Sequence, residues 1–65
     1  MDFTIKKSMA ITSHLSDVQE MISFGELKDA NLRINFVKML VRDERTEMKE
    51  SELNKLWKEC VERYG

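Results

Sequence analysis

The chain has 65 residues, 42% of them hydrophobic, and its 11 Lys and Arg against 12 Asp and Glu give a net charge of −1. This length allows one small domain, and the balanced charge excludes a strongly basic nucleic-acid-binding domain. The chain has 1 Cys and 1 His, which excludes an internal disulfide and leaves too few ligands for a tetrahedral zinc site. Because so short a chain buries only about 60% of its unfolded surface, we expect a homodimer or a subunit of a complex.

No apolar stretch has the length of a signal peptide's hydrophobic region or of a membrane span. The unpaired Cys suits the reducing cytosol. We therefore expect a cytoplasmic protein that has no membrane contact. Pro is absent and Gly occurs 2 times, so the composition predicts no linker or low-complexity segment.

The N-terminal residues alternate between apolar and polar side chains over residues 2–12, a pattern typical of a β-strand. A lone strand leaves its backbone groups without partners. The segment could therefore pair with its copy in a dimer, add to a partner's sheet or form a disordered arm. A helix that begins near residue 5 is a further alternative. We treat residues 1–13 as a strand-like or disordered N-terminal arm and residues 14–65 as the folded domain.

A first helix is predicted over residues 16–24. Ser16 and Gln19 have the spacing of a capping box, in which each side chain bonds the other residue's backbone. Gly25 suits the left-handed position just beyond a helix end. A central helix is then expected over residues 27–44.

The central segment has an unusually wide apolar surface. Steps of three and four place one stripe at Leu27, Ala30, Ile34, Val37 and Val41, with a flank at Leu32, Phe36, Met39 and Leu40. The apolar arc spans roughly 240°, against the ~100° of an ordinary surface helix. A helix of this kind needs covering from at least two sides. The alternation from Leu32 to Phe36 also fits a strand, but the contiguous apolar pairs that follow favour a helix.

The polar side of the central helix is a narrow strip with three cations, two amides and no acid. This basic strip consists of Lys28, Asn31, Asn35, Lys38 and Arg42. Such a face is usually only solvated surface. Its functional interpretation is a partner-binding face for phosphate or for an acidic protein.

Arg33 departs from this pattern because it points into the apolar arc. It could lay its stem along the apolar surface with its charge in solvent, pair with Asp29 one turn earlier, or reach an acid of another element or subunit. Arg and large apolar side chains are frequent in interfaces. We therefore mark four candidate interface residues: Arg33, Phe36, Met39 and Tyr64.

A break is predicted over residues 43–52, where Met48 is the only apolar residue among charged and hydroxyl side chains. Thr46 or Ser51 is the expected cap of the last helix. That helix, over residues 50–64, has an apolar stripe of roughly 140° that can cover the central helix. The stripe consists of Leu53, Leu56, Trp57, Cys60, Val61 and Tyr64.

Catalysis is not predicted. Cys60 and His14 are the only pair of a nucleophile and a base, and Cys60 lies in an apolar stripe where Cys is usually a buried hydrophobe. No glycine-rich phosphate loop occurs. We expect no enzyme, no cofactor, no metal and no small-molecule substrate.

The expected fold is all-α or nearly so, with three helices over 16–24, 27–44 and 50–64. The expected function is that of a small regulator that binds another protein, such as an adaptor, an inhibitor or an antirepressor. Chains of this size are common among phage and bacterial regulators. The alternative is a DNA-binding regulator, with the central helix in the major groove of a helix-turn-helix or with the N-terminal strand paired across a dimer.

Overall fold

A computed structural model describes residues 2–65, which form three helices and one two-stranded sheet. The order along the chain is β1 (Thr4–Lys6), α1 (Lys7–Ser23), α2 (Leu27–Arg42), β2 (Glu47–Lys49) and α3 (Glu50–Tyr64). The predicted three-helix fold is confirmed. The predicted bounds of the last two helices agree with the structure to within two residues.

The first helix is longer than predicted, since it begins at Lys7 rather than at residue 16. Ser16 therefore lies inside α1, and the predicted capping box is wrong. The predicted boundary between an arm and a domain, at residues 13 and 14, also falls within this helix. The physical reason is that Ala10, Ile11 and Val18 recur at helical spacing and pack inward, which outweighs the alternation of residues 2–12. Met1 lies outside the described residues.

Of the alternating residues 2–12, only Thr4–Lys6 form a strand, β1, and its partner strand belongs to the same chain. β1 pairs antiparallel with β2, with Ile5 opposite Met48. Two further backbone bonds, each of 2.9 Å, continue the ladder: Lys7 N donates to Thr46 O, and Glu50 N donates to Phe3 O. Because each strand leads directly into a helix, the sheet holds the first turns of α1 and α3 together. The backbone groups of β1 therefore find hydrogen-bond partners in β2, without a second copy of the chain.

The start of α3 is capped from the other end of the chain. The Asp2 carboxylate accepts bonds from the Ser51 backbone N (3.0 Å) and the Ser51 hydroxyl (2.6 Å). These bonds lower the pKa of Asp2 below its ordinary value. Glu52 Oε1 accepts a bond of 2.9 Å from the backbone N of Lys49. The expectation that Thr46 or Ser51 caps this helix with its own side chain is thus wrong, because Lys49 occupies the cap position.

The turn between α1 and α2 is built on Gly25, as predicted. Gly25 has φ +76°, its N donates to Ile22 O (3.1 Å), and Glu26 N donates to Met21 O (2.8 Å). This is the Schellman arrangement, which closes a helix through a residue in the left-handed conformation. α1 and α2 therefore form an antiparallel hairpin.

Replacing Gly25 by Ala should lower the free energy of unfolding by about 1 kcal/mol, because a Cβ disfavours positive φ. Among residues 2–65, no heavy atom beyond Gly25 and its two chain neighbours lies within 4 Å of the site where that Cβ would stand, so the loss is conformational rather than steric. Urea unfolding of both proteins measures the difference. Gly25→Asn is the matched control and should lose less, since Asn tolerates this conformation. An unchanged midpoint in Gly25→Ala would contradict the turn described here.

The core lies where α2 meets α3 and the sheet. Its fully buried residues are Phe36, Leu40, Met48 and Cys60, and partly buried side chains surround them. α1 and α3 both pack on α2, which confirms the expectation of two covers. The side of α2 that is most deeply covered is the predicted flank, with Phe36 and Leu40. The two ends of the predicted stripe are exposed, Leu27 by 64% and Val41 by 63%.

Within residues 2–65, no helix combines the length and the apolar character that a membrane span requires.

Candidate binding surface

The hairpin of α1 and α2 has two faces, and α3 covers only one of them. Leu27, Ile34 and Val41 recur every seven residues, so they form one row along α2. None of the three belongs to the core cluster. Phe36, on the other side of α2, packs against Trp57 of α3 with ring centroids 5.2 Å apart. The row therefore lies on the side of the hairpin that faces away from α3.

α1 adds a second row on the same side. Leu15 and Ile22, also seven residues apart, are 46% and 53% exposed. Val18 is buried between α1 and α2. Around α1, His14 lies on the side of Val18 opposite Leu15 and Ile22, where it contacts Phe36. Leu15 and Ile22 thus point away from α3 as well. We call the two rows together the apolar face: Leu15, Ile22, Leu27, Ile34 and Val41.

The basic strip borders the apolar face along α2. Lys38 follows Ile34 by one helical turn and Arg42 follows Lys38 by another, so the cations run beside the apolar row. Lys28, Lys38 and Arg42 are exposed. Across residues 2–65, ion pairs are formed by Arg33 and Arg45 only. The three cations of the strip therefore have no carboxylate partner in this part of the chain.

The two amides of the strip are less free than the cations. Asn31 is exposed, whereas Asn35 is half-buried. The Asn35 side-chain amide donates to the Asn31 carbonyl oxygen at 3.1 Å. Asn35 thus has one of its donors occupied within α2.

The opposite border of the apolar face, along α1, is uncharged. It is formed by exposed residues with hydroxyl or amide side chains: Ser8, Thr12, Ser16, Gln19 and Ser23. The hydroxyls of Thr12 and Ser23 donate back to carbonyl oxygens of their own helix. The apolar face therefore has a basic border on one side and a neutral border on the other.

Of the four candidate interface residues, Tyr64 alone is strongly exposed, at 48%. Phe36 is only 2% exposed and Met39 packs against the core, because α3 covers this flank of α2. Phe36 and Met39 therefore do not lie on an open apolar surface. Tyr64 instead lines a depression with Leu32, where the end of α3 meets the start of α2.

Arg33, the fourth candidate, is bound inside the chain. Its Nη1 donates to Asp17 Oδ2 at 2.9 Å and to His14 Nδ1 at 3.0 Å. Its guanidinium carbon lies 5.2 Å from the centre of the Trp57 ring. The pair with Asp29 does not form, and the acid that Arg33 reaches belongs to α1. Arg33 therefore links all three helices.

Arg33 also borders a cleft that the sequence did not reveal. The cleft has a volume of about 330 Å³ and lies between α1 and α3, with α2 below it. Phe36 meets His14 and Trp57 edge-on, at interplanar angles of 87° and 84°. The signal that could have placed His14 here is its spacing of four residues from Ala10 and from Val18. The cleft is lined by Ile5, His14, Arg33, Phe36, Glu50, Leu53, Asn54 and Trp57.

The charge state of His14 follows from its contacts. Since the Arg33 guanidinium is always a donor, Nδ1 of His14 accepts and the neutral ring carries its proton on Nε2. Burial lowers the pKa of His14 below its ordinary value, and the positive charge of Arg33 lowers it further, while Asp17 acts in the opposite direction. The neutral ring is thus the form that this arrangement stabilises.

The free energy of unfolding should therefore fall as the pH is lowered from 7.5 to 5.5. The unfolded chain takes up a proton on His14 near pH 6.5, whereas the folded chain resists it, so acid favours the unfolded state. Urea unfolding at several pH values in this range measures the slope. His14→Asn removes the titrating ring but keeps an acceptor for Arg33. An equal slope in this variant would show that His14 is not the cause.

The thiol of Cys60 takes no part in the cleft. It is fully buried, its Sγ donates to the Leu32 carbonyl oxygen at 3.5 Å, and burial raises its pKa. No three His, Cys, Asp or Glu side chains among residues 2–65 are grouped so that they could hold a metal ion.

Because a fold of this kind serves many roles, function must be argued from the surface of the hairpin rather than from the fold. Comparison with protein-family models, with curated protein sequences and with solved structures gives no match to this chain.

Proposed function

We propose that the chain is a small regulatory protein of the cytoplasm that acts by binding another protein rather than by catalysis. It does so by placing the apolar face of α1 and α2, with the bordering basic strip, against its partner. The observation that carries this proposal is the exposure of four large apolar side chains on one face of the hairpin: Leu15, Ile22, Leu27 and Val41. Contiguous apolar surface with a polar border is typical of interaction sites.

The arrangement of the core supports this proposal. α3 has already used the other side of α2, where Phe36, Leu40 and Cys60 are buried. The apolar face therefore has no remaining element among residues 2–65 to cover it. Burial of apolar surface contributes about 25 cal/mol per Å². A partner that covers both rows would bury this apolar area, and the burial would stabilise the complex.

The test is a double variant in which Leu27 and Val41 are replaced by Ser. We expect the wild-type chain to bind a partner from a cytoplasmic extract, or to have a dimer mass by light scattering, and the double variant to lose this association. Val61→Ser is the matched control, because Val61 is exposed on α3. Circular dichroism verifies that both variants are folded. A folded double variant that retains all association would overturn the proposal.

DNA binding is the second candidate, and the basic strip is the observation that favours it. Lys and Arg contact phosphates, and Asn can read adenine in the major groove. A net charge of −1 argues against it. The test is a gel shift on random duplex DNA at low and at high salt. Salt-sensitive retardation that is lost in Lys38→Glu/Arg42→Glu supports DNA binding. The absence of retardation at low salt rules DNA binding out.

A further inference from the structure

We infer that the occupant of the apolar face is an amphipathic helix of another protein, with acidic residues beside its apolar stripe. This inference rests on the proposed function and names the chemistry of the partner. Three observations lead to it: the shape of the face, the charge of its borders and the lack of a complementary charge on a second copy of the chain.

The shape of the face suits one helix. Leu15 and Ile22 on α1 run alongside Leu27, Ile34 and Val41 on α2, and Val18 and Ala30 are buried between the two rows. The α2 row spans four helical turns, about 21 Å at 1.5 Å per residue. A helix of about 16 residues, laid against two antiparallel helices, completes a bundle and presents apolar residues at steps of three and four.

The charges along the borders of the apolar face favour a partner helix with acidic flanks. Lys38 and Arg42 line one border and have no ion-pair partner within residues 2–65, whereas Lys28 lies further around α2, toward Tyr64. The other border carries only hydroxyl and amide groups and repels neither sign of charge. Acidic side chains beside the partner's apolar stripe would meet the cations at the edge of the contact. Complementary charge of this kind mainly sets orientation, specificity and the rate of association.

A second copy of this chain lacks that complement. In a symmetric dimer each copy presents the same surface. Along the helices the basic strip would then meet another basic strip or the uncharged border of α1, and the exposed acids Glu26 and Glu44 flank only the two ends of α2. The acids of α1, Asp17 and Glu20, lie on other sides of that helix, and Asp17 is paired with Arg33. Nucleic acid would match the cations but would leave the two apolar rows in contact with phosphates and water. A helix with an apolar stripe and acidic flanks satisfies both features.

The probe is a labelled synthetic peptide of 16 residues with Leu at steps of three and four and Glu on both flanks. A matched peptide carries Lys in place of each Glu. Fluorescence anisotropy in 50 mM salt should show binding of the Glu peptide at least tenfold tighter than that of the Lys peptide. The Lys38→Glu/Arg42→Glu variant should weaken binding of the Glu peptide about tenfold and remove the preference. Lys55→Glu/Lys58→Glu makes the same change of charge on α3 and should have little effect.

The outcomes separate this inference from the proposed function. Equal binding of both peptides, lost when Leu27 and Val41 become Ser, would show a protein-binding face without charge selection and would overturn the inference alone. If light scattering shows a dimer that Leu27→Ser/Val41→Ser dissociates, the inference alone is again overturned, because a second copy then occupies the apolar face. A monomer that binds neither peptide would also refute the inference. The proposed function fails only if folded Leu27→Ser/Val41→Ser retains every association of the wild type.

Discussion

Replacing Leu40 by Ala should lower the free energy of unfolding by about 2–5 kcal/mol, the usual cost of a buried Leu that leaves a cavity. Leu40 is 0% exposed and lies in the cluster with Phe36, Met48 and Cys60. A chain of this length has a total stability of only about 3–10 kcal/mol. The loss is therefore a large fraction of the total stability, and the urea midpoint of the variant should fall well below that of the wild type. Urea unfolding followed by circular dichroism and by the fluorescence of Trp57 measures the loss.

The adjacent residue supplies the control for this experiment. Val41 is 63% exposed, so Val41→Ala should change the stability by no more than about 0.5 kcal/mol. The two substitutions differ by one position, or 100° around α2. If both cost the same, the side of α2 that faces the core has been assigned incorrectly.

Met48→Ala should have the second largest effect, a loss of about 2–4 kcal/mol. Met48 is 1% exposed and stands opposite Ile5 in the ladder, so its side chain fixes β2 to the core. Calorimetry should show a melting temperature lower by roughly 10 °C or more, at about 4–8 °C for each kcal/mol in a domain of this size.

Glu47→Ala is the comparison for the strand, because Glu47 is an exposed neighbour in β2. Its expected effect is within about 0.5 kcal/mol. Should Met48→Ala melt at the same temperature as Glu47→Ala, the short sheet would contribute little to the fold.

The sequence predicts α2 and α3 well, because their apolar residues follow a period of 3.6 over at least 15 residues. It fails at the start of α1, where Met9 and Ile11 continue the alternation of Phe3 and Ile5 and therefore suit a strand as well as a helix. The choice is made by contacts with α2 that no local pattern contains. β2 is hidden for a related reason: it has one apolar residue, and its partner strand lies near the other end of the chain.

The candidate surface was predictable in one part only. The basic strip could be identified because its polar residues share one side of α2, and four of its five residues are exposed. The apolar face could not be identified, since the arc of α2 is wide and the sequence does not tell which sector α3 leaves uncovered. The burial of Phe36 and the exposure of Leu27 and Val41 depend on which side of α2 is covered by α3.

The two-stranded sheet also determines the order in which the chain can fold. The hairpin of α1 and α2 needs only local contacts through Gly25, whereas β1 and β2 must close a loop of about 40 residues. Non-local contacts of this kind form slowly, because the entropy of closure is lost before the contacts are gained. A preformed hairpin shortens the distance that remains and brings β1 towards β2. Docking of α3 and pairing of the strands should therefore occur as a single late step. The residues of β1 then take part in the last event of folding although they are synthesised before α2 and α3.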